Sequence, residues 1–74
     1  MFVEICDEFE YLSLVDLDEI YRVGIYEAND GRPMAILYFK NKTTMKTYVT
    51  YNYMRILLGV NEKDRLSKNQ RNDR

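Results

Sequence analysis

Asn29-Asp30-Gly31-Arg32-Pro33-Met34-Ala35-Ile36-Leu37-Tyr38-Phe39-Lys40 is the stretch on which the reading of the fold turns. Asn29, Asp30 and Gly31 form the strongest turn signal in the chain, because glycine adopts positive φ freely and Asn or Asp adopt it more readily than most residues. The six residues that follow Pro33, Met34 to Phe39, are continuously apolar. That pattern predicts a strand covered on both faces, or one whose outer face meets a partner, and places Met34 to Lys40 at the centre of a sheet. Pro33 lacks an amide hydrogen and belongs at the start of that strand or on an edge.

Short runs rich in Val, Ile, Tyr, Phe and Thr extend the reading to either side. Upstream, Ile20 to Glu27 is the hairpin partner of the central strand, and Val15 to Glu19 interrupts the pattern with three acids. Before it, Phe2 to Cys6 and Phe9 to Leu14 pair as a hairpin around a tight turn at Asp7 and Glu8, with Val3 and Ile5 on one face and Phe2, Glu4 and Cys6 on the other. Downstream, Asn41 to Thr43 forms a turn into Thr44 to Thr50, where Met45, Thr47 and Val49 alternate with Thr44, Lys46 and Tyr48. Tyr51 to Leu58 reads as a helix, because Tyr51, Met54, Leu57 and Leu58 share one face; a strand continuing to Tyr53 is the competing reading. Thr50 is its N-cap and Gly59 its stop. The expected fold is α+β and mainly β: about five antiparallel strands in a curled sheet or small barrel, then one short C-terminal helix. Residues 1–60 form a single β-rich domain. After Val60 the one large apolar residue is Leu66, so 61–74 is expected to be a charged, flexible tail.

The run Tyr11-Leu12-Ser13-Leu14-Val15-Asp16-Leu17-Asp18-Glu19-Ile20, followed by a glycine-containing hairpin, a further strand pair and Thr50 leading into a helix, resembles the small flagellar proteins of the FlbD type. It is also similar to the opening of LytTR-type DNA-binding domains. The first resemblance implies a small cytoplasmic accessory protein acting through protein contacts, and the second implies base-contacting loops. LytTR domains are longer, and the extra strands have no counterpart here. The likeness spans about residues 2 to 60 and is one of apolar spacing, so it carries over no functional residue.

The chain offers little for catalysis. It has no histidine, the commonest general base, and its one cysteine, Cys6, has no imidazole to activate it, no partner for a disulfide and no second ligand for a zinc site. An early-strand cysteine is more often a small buried apolar residue than a nucleophile. Asp16, Asp18 and Glu19 supply oxygen ligands of the kind a hard cation takes, yet the repeated acids, central glycine and terminal Glu of an EF-hand loop are missing, and acids in a turn are usually solvated. The reading is therefore of a non-enzymatic protein that uses no cofactor and no metal. No signal-peptide pattern and no run of 18 apolar residues is present, and a cytoplasmic setting is expected.

Charge is unevenly spread. Residues 1–30 carry a net charge of −8, residues 31–60 carry +5 without a single acid, and 61–74 carry +2. Seven Tyr and four Met in 74 residues exceed what a small core needs, and both types are enriched at interfaces. Tyr38, Lys40, Lys46, Tyr48, Tyr51, Tyr53 and Arg55 are accordingly the candidate partner contacts, and Asp16, Asp18 and Glu19 a candidate acidic contact. The leading expectation is a small protein-interaction module, an accessory or inhibitor protein of the kind phages and mobile elements encode. The alternatives are a nucleic-acid-binding β protein that uses the Tyr/Lys face, with Arg32 and Lys42 beside it, and an acidic mimic of nucleic acid. The first half's acids oppose the former, as does a pI near 5.3. The plainer reading of the same residues is that Tyr favours strands, that strand lysines block edge-to-edge aggregation, and that acids and bases pair across strands. Self-association through a free strand edge is a further possibility.

Overall fold

The Asp30-Gly31 turn is built from its own side chains. Gly31 sits at φ 86°, the Asp30 carboxylate accepts from the Arg32 backbone N–H at 3.1 Å, and the Arg32 Nε donates to the other Asp30 oxygen at 2.6 Å. This turn joins β3 (Ile20–Glu27) to β4 (Pro33–Phe39), and β4 returns through a turn at Asn41 to Thr43 into β5 (Thr44–Thr47). In that second turn Lys42 takes φ 75°, and the Asn41 side-chain oxygen accepts from both the N–H and the hydroxyl of Thr43. The chain begins with β1 (Phe2–Cys6), β2 (Leu12–Asp16) and one 3-10 turn (Leu17–Glu19), and after β5 comes α1 (Tyr51–Leu57). The computed structural model describes residues 1–60; the tail expected over 61–74 lies outside the described residues. The class is α+β, mainly β, and β4 is the central strand of its sheet.

The strands form two antiparallel sheets, β1-β2 and β3-β4-β5, rather than one curled sheet or a closed barrel. Two local events keep them apart. At the end of β1 the Asp7 carboxylate accepts from the backbone N–H groups of Phe9 and Tyr11, both at 2.9 Å, and Glu10 takes φ 70°. The expected two-residue turn becomes a wider loop, and the second strand, expected over Phe9 to Leu14, starts at Leu12 and runs through Asp16. At the end of β5 the Thr47 hydroxyl accepts from the Val49 N–H at 3.1 Å, which curls the backbone so that the strand stops short of the expected Thr50. The sheets meet where these two features touch, in one isolated bridge between Asp7 and Thr47.

Thr47 is fully buried, and its hydroxyl donates to the Cys6 carbonyl at 2.6 Å. The same carbonyl accepts from the Tyr48 N–H at 3.3 Å, and the Glu8 N–H reaches the Lys46 carbonyl at 3.0 Å. Cys6 itself is half-buried beside this junction. Ile5, Val15, Leu17, Ala35, Leu37 and Met54 form the core, so β1, β2, the 3-10 turn, β4 and α1 each contribute to it. The helix is seated over β4 and β3. Its Thr50 hydroxyl accepts from the Tyr53 N–H at 3.1 Å, and Gly59, at φ 78°, ends it. Met34 is 2% exposed but belongs to no part of that cluster, because alternation along β4 turns it to the opposite face from Ala35 and Leu37.

Replacing Thr47 by Val, which keeps the shape but removes both hydrogen bonds, leaves the Cys6 carbonyl short of one partner and the Val49 N–H without its acceptor. A loss of about 1–3 kcal/mol of unfolding free energy in urea is expected, and Thr47→Ser, which keeps the hydroxyl, loses less. A larger loss in Thr47→Ser than in Thr47→Val would show that the methyl packing, not the hydroxyl, matters at this position.

Candidate functional site

Three surfaces bear on function. The first is the outer face of the three-stranded sheet, turned away from the core. Register places Arg22 opposite Tyr38, Gly24 opposite Ile36, Ile36 opposite Lys46 and Tyr26 opposite Met34. On this face each cation lies over an aromatic ring: Arg22 is 4.7 Å from the Tyr38 centroid, Lys46 is 4.2 Å from that of Tyr26, and Arg32 is 4.4 Å from that of Tyr48. Arg32 also donates to the Tyr48 hydroxyl at 3.0 Å, and the Tyr21 ring tilts against Tyr38 with centroids 6.4 Å apart. Tyr38, Lys46 and Tyr48 therefore do share a face. Each exposed stack of this kind contributes about 0.5–1 kcal/mol, and it occupies the ring surface that a nucleobase would take.

The other expected contacts lie elsewhere. Lys40 follows β4, where its backbone N–H continues the ladder to the Glu19 carbonyl at 2.8 Å. Tyr51, Tyr53 and Arg55 sit on α1, which packs against the core side of the sheet through Met54, so they do not join Tyr38, Lys46 and Tyr48 in one surface. Arg22 and Tyr26 belong to the stacked face yet escape a reading by composition, because only the β3-β4 register brings them opposite Tyr38 and Met34.

The second surface is the acidic turn. The Asp16 carboxylate caps the 3-10 turn by accepting from the Asp18 N–H at 3.0 Å, and it receives the Met1 ammonium at 3.3 Å. Asp18 receives the same ammonium at 3.2 Å, while Glu19 lies at the end of the turn. Two of the three acids thus act in local structure. Among the described residues no group of three or more Cys, Asp and Glu side chains is arranged to hold a metal ion.

The third surface was not singled out by sequence reasoning. Phe2, Leu12 and Leu14 are 65%, 66% and 71% exposed and all project from the outer face of the β1-β2 hairpin, with Phe9 and Tyr11 exposed at its tip. The signal was available: Leu12, Leu14 and Phe2 alternate with the inward Ser13, Val15 and Val3, and a two-stranded ribbon has only one core-facing side. An open groove of about 350 Å3 lies where this loop meets β5, lined by Asp7, Glu8, Phe9, Thr44, Met45 and Lys46. Its lining is largely polar and charged, unlike the apolar walls of most small-molecule sites. Among the described residues, no helix is long and apolar enough to cross a membrane.

Hydrogen bonds from backbone N–H groups hold two carboxyls below the usual Asp range, the half-buried Asp16 through Asp18 and the exposed Asp30 through Arg32. A carboxyl depressed on folding adds stability that is complete above its unfolded pKa, about 4, and is lost as pH falls through the folded value. Urea midpoints are expected to hold from pH 7 to about 5 and to fall below about 4. Asp30→Asn should shrink that acid-side fall. An undiminished fall in the variant would mean that other carboxyls account for it.

Compared with known proteins, the chain matches no family model, no curated protein and no solved structure.

Proposed function

We propose that the protein is a small non-enzymatic interaction module, an accessory or inhibitor protein working in the cytoplasm, whose partner is another protein. One observation carries the reading: Phe2, Leu12 and Leu14 form an exposed apolar stripe on a hairpin face that no other described residue covers. Small soluble domains rarely expose three large apolar side chains in one stripe unless it meets something. The stripe replaces the Tyr/Lys face as the leading contact surface, since Tyr38, Tyr48 and Tyr26 already stack with the chain's own cations. The resemblance to flagellar accessory proteins points in the same direction, as does the economy of a phage- or mobile-element-encoded inhibitor.

A photo-crosslinking residue placed at Leu14 is expected to trap a discrete protein in cells, and the same residue at Tyr38 is expected to trap far less. Leu12→Lys with Leu14→Lys should abolish recovery of that protein while changing stability by no more than about 0.5 kcal/mol, because both sites are exposed. A cross-link confined to Tyr38 would overturn the reading.

The gathering of Arg22, Arg32 and Lys46 with Tyr26, Tyr38 and Tyr48 on one sheet face favours one second reading, a nucleic-acid-binding face on β3, β4 and β5, although the stacking between them opposes it. Binding there requires Arg22, Arg32 and Lys46 to move from the rings to phosphates. Titration with single-stranded and duplex oligonucleotides at 50 mM and 200 mM salt separates the two. Absent or millimolar binding is expected; micromolar binding that weakens steeply with salt, and is lost in Lys46→Glu, would establish the second reading.

A further inference from the structure

The backbone of β2 decides which of its hydrogen-bonding groups face outward. The Leu17 N–H donates to the Met1 carbonyl at 2.8 Å and the Asp7 N–H to the Tyr11 carbonyl at 2.9 Å, so Met1 with Leu17 and Asp7 with Tyr11 are hydrogen-bonded pairs of the β1-β2 ladder. Bonded and non-bonded pairs alternate in an antiparallel ladder. With Val3 opposite Val15, Glu4 opposite Leu14, Ile5 opposite Ser13 and Cys6 opposite Leu12, the bonded pairs are Val3 with Val15 and Ile5 with Ser13. Leu12 and Leu14 therefore turn their own N–H and C=O groups away from β1. The Cys6 carbonyl obeys the same parity, since it faces β5 and accepts from Thr47 and Tyr48.

No described strand pairs with the outer edge of β2. The edge is also unguarded: its residues, Leu12 to Asp16, include no Lys, no Pro and no bulge. Three of the devices that usually keep edges from pairing are thus absent, and the one charge on the strand is Asp16 at its end. The contrasting edge, β3, carries Arg22, Gly24 and a register shift between Ile20 and Arg22. Along β2 the outward face reads Leu12, Leu14, Asp16, with Phe2 and Glu4 beside it on β1 and the exposed Glu10 and Asp18 at the two ends.

Resting on the protein-binding reading above, we infer that the edge of β2 receives an extended segment of a partner protein as an added antiparallel strand. The segment carries a basic residue opposite Asp16 and apolar residues opposite Leu14 and Leu12. Backbone bonds to Leu12 and Leu14 supply the attachment, and their side chains with Phe2 select the apolar positions. The acids of this half, −8 over residues 1–30, select a cationic segment and disfavour a second copy of the same edge, which would set acid against acid.

The test uses a peptide reading Lys, Thr, Ile, Thr, Leu, Thr, Lys with blocked ends, titrated into the full chain and followed by amide NMR. Saturable shifts and slowed hydrogen exchange at the Leu12 and Leu14 amides are expected. N-methylation of the Ile and Leu amides, which face β2 in this register, should weaken binding at least tenfold, while N-methylation of the central Thr amide, which faces away, should weaken it less than threefold. Glu in place of both Lys should weaken binding at least tenfold, and so should Leu14→Lys in the protein. Equal affinity for the two N-methylated peptides, or for the Glu peptide, would overturn the inference. A dimer in light scattering that Leu14→Lys dissolves would overturn it as well, by giving the edge to a second copy. If the peptide leaves Leu12 and Leu14 unprotected while the Leu14 cross-link to a partner persists, strand addition fails and the protein-binding reading stands.

Discussion

The contact between Thr47 and the Cys6 carbonyl is the constraint on which the arrangement depends. Among the described residues the two sheets share a single bridge, and beside it a fully buried hydroxyl both donates, to Cys6, and accepts, from Val49. A buried hydroxyl without partners would be costly, so its two bonds fix the angle at which β1 leaves the junction and the point at which β5 ends. Once β5 stops at Thr47, Thr50 is free to cap the helix, and Met54 is delivered onto Leu37 and Ala35. Two short sheets and a helix of seven residues, none of which would be stable alone, become one core.

That junction also determines what is left exposed. The inner side of the β1-β2 ribbon is used up by Val3, Ile5, Val15 and the core beneath them, and the helix covers the other sheet rather than the ribbon. Phe2, Leu12 and Leu14 are consequently left facing outward. The second sheet manages its outer face differently, with Met34 buried under a surface where Tyr26, Tyr38 and Tyr48 each carry a cation. Among the described residues, one face is closed by the chain's own side chains and the other is not. That contrast, rather than the number of tyrosines, favours the hairpin as the contact surface.

Local chemistry explains why most elements were legible in the amino-acid order. The strands at Phe2–Cys6 and Ile20–Glu27, the turn at Gly31, the Thr50 cap and the Gly59 stop each depend on residues within a few positions of one another. The start of β2 was misjudged because Asp7 captures the Phe9 and Tyr11 amides, a side-chain choice that competes with a tight hairpin turn and that apolar spacing does not reveal. The site was legible only in part. Tyr38, Lys46 and Tyr48 do gather on one face, but their stacking on Arg22, Tyr26 and Arg32 depends on register, and the distance from them to Tyr51, Tyr53 and Arg55 depends on which side of the sheet the helix covers.

The sequence by itself determined the class of the protein: α+β and mainly β, with β4 at the centre of a sheet and an acidic half preceding a basic one. These follow from alternation, turn residues and charge, which act over short distances along the chain. Only the tertiary structure decided that, among the described residues, five strands divide into two sheets, the hairpin's apolar stripe stays uncovered, and the backbone groups of Leu12 and Leu14 point to an open edge. The reason is the parity of a β-strand: a shift of one residue exchanges every inward and outward side chain, and only pairing with another strand sets that parity.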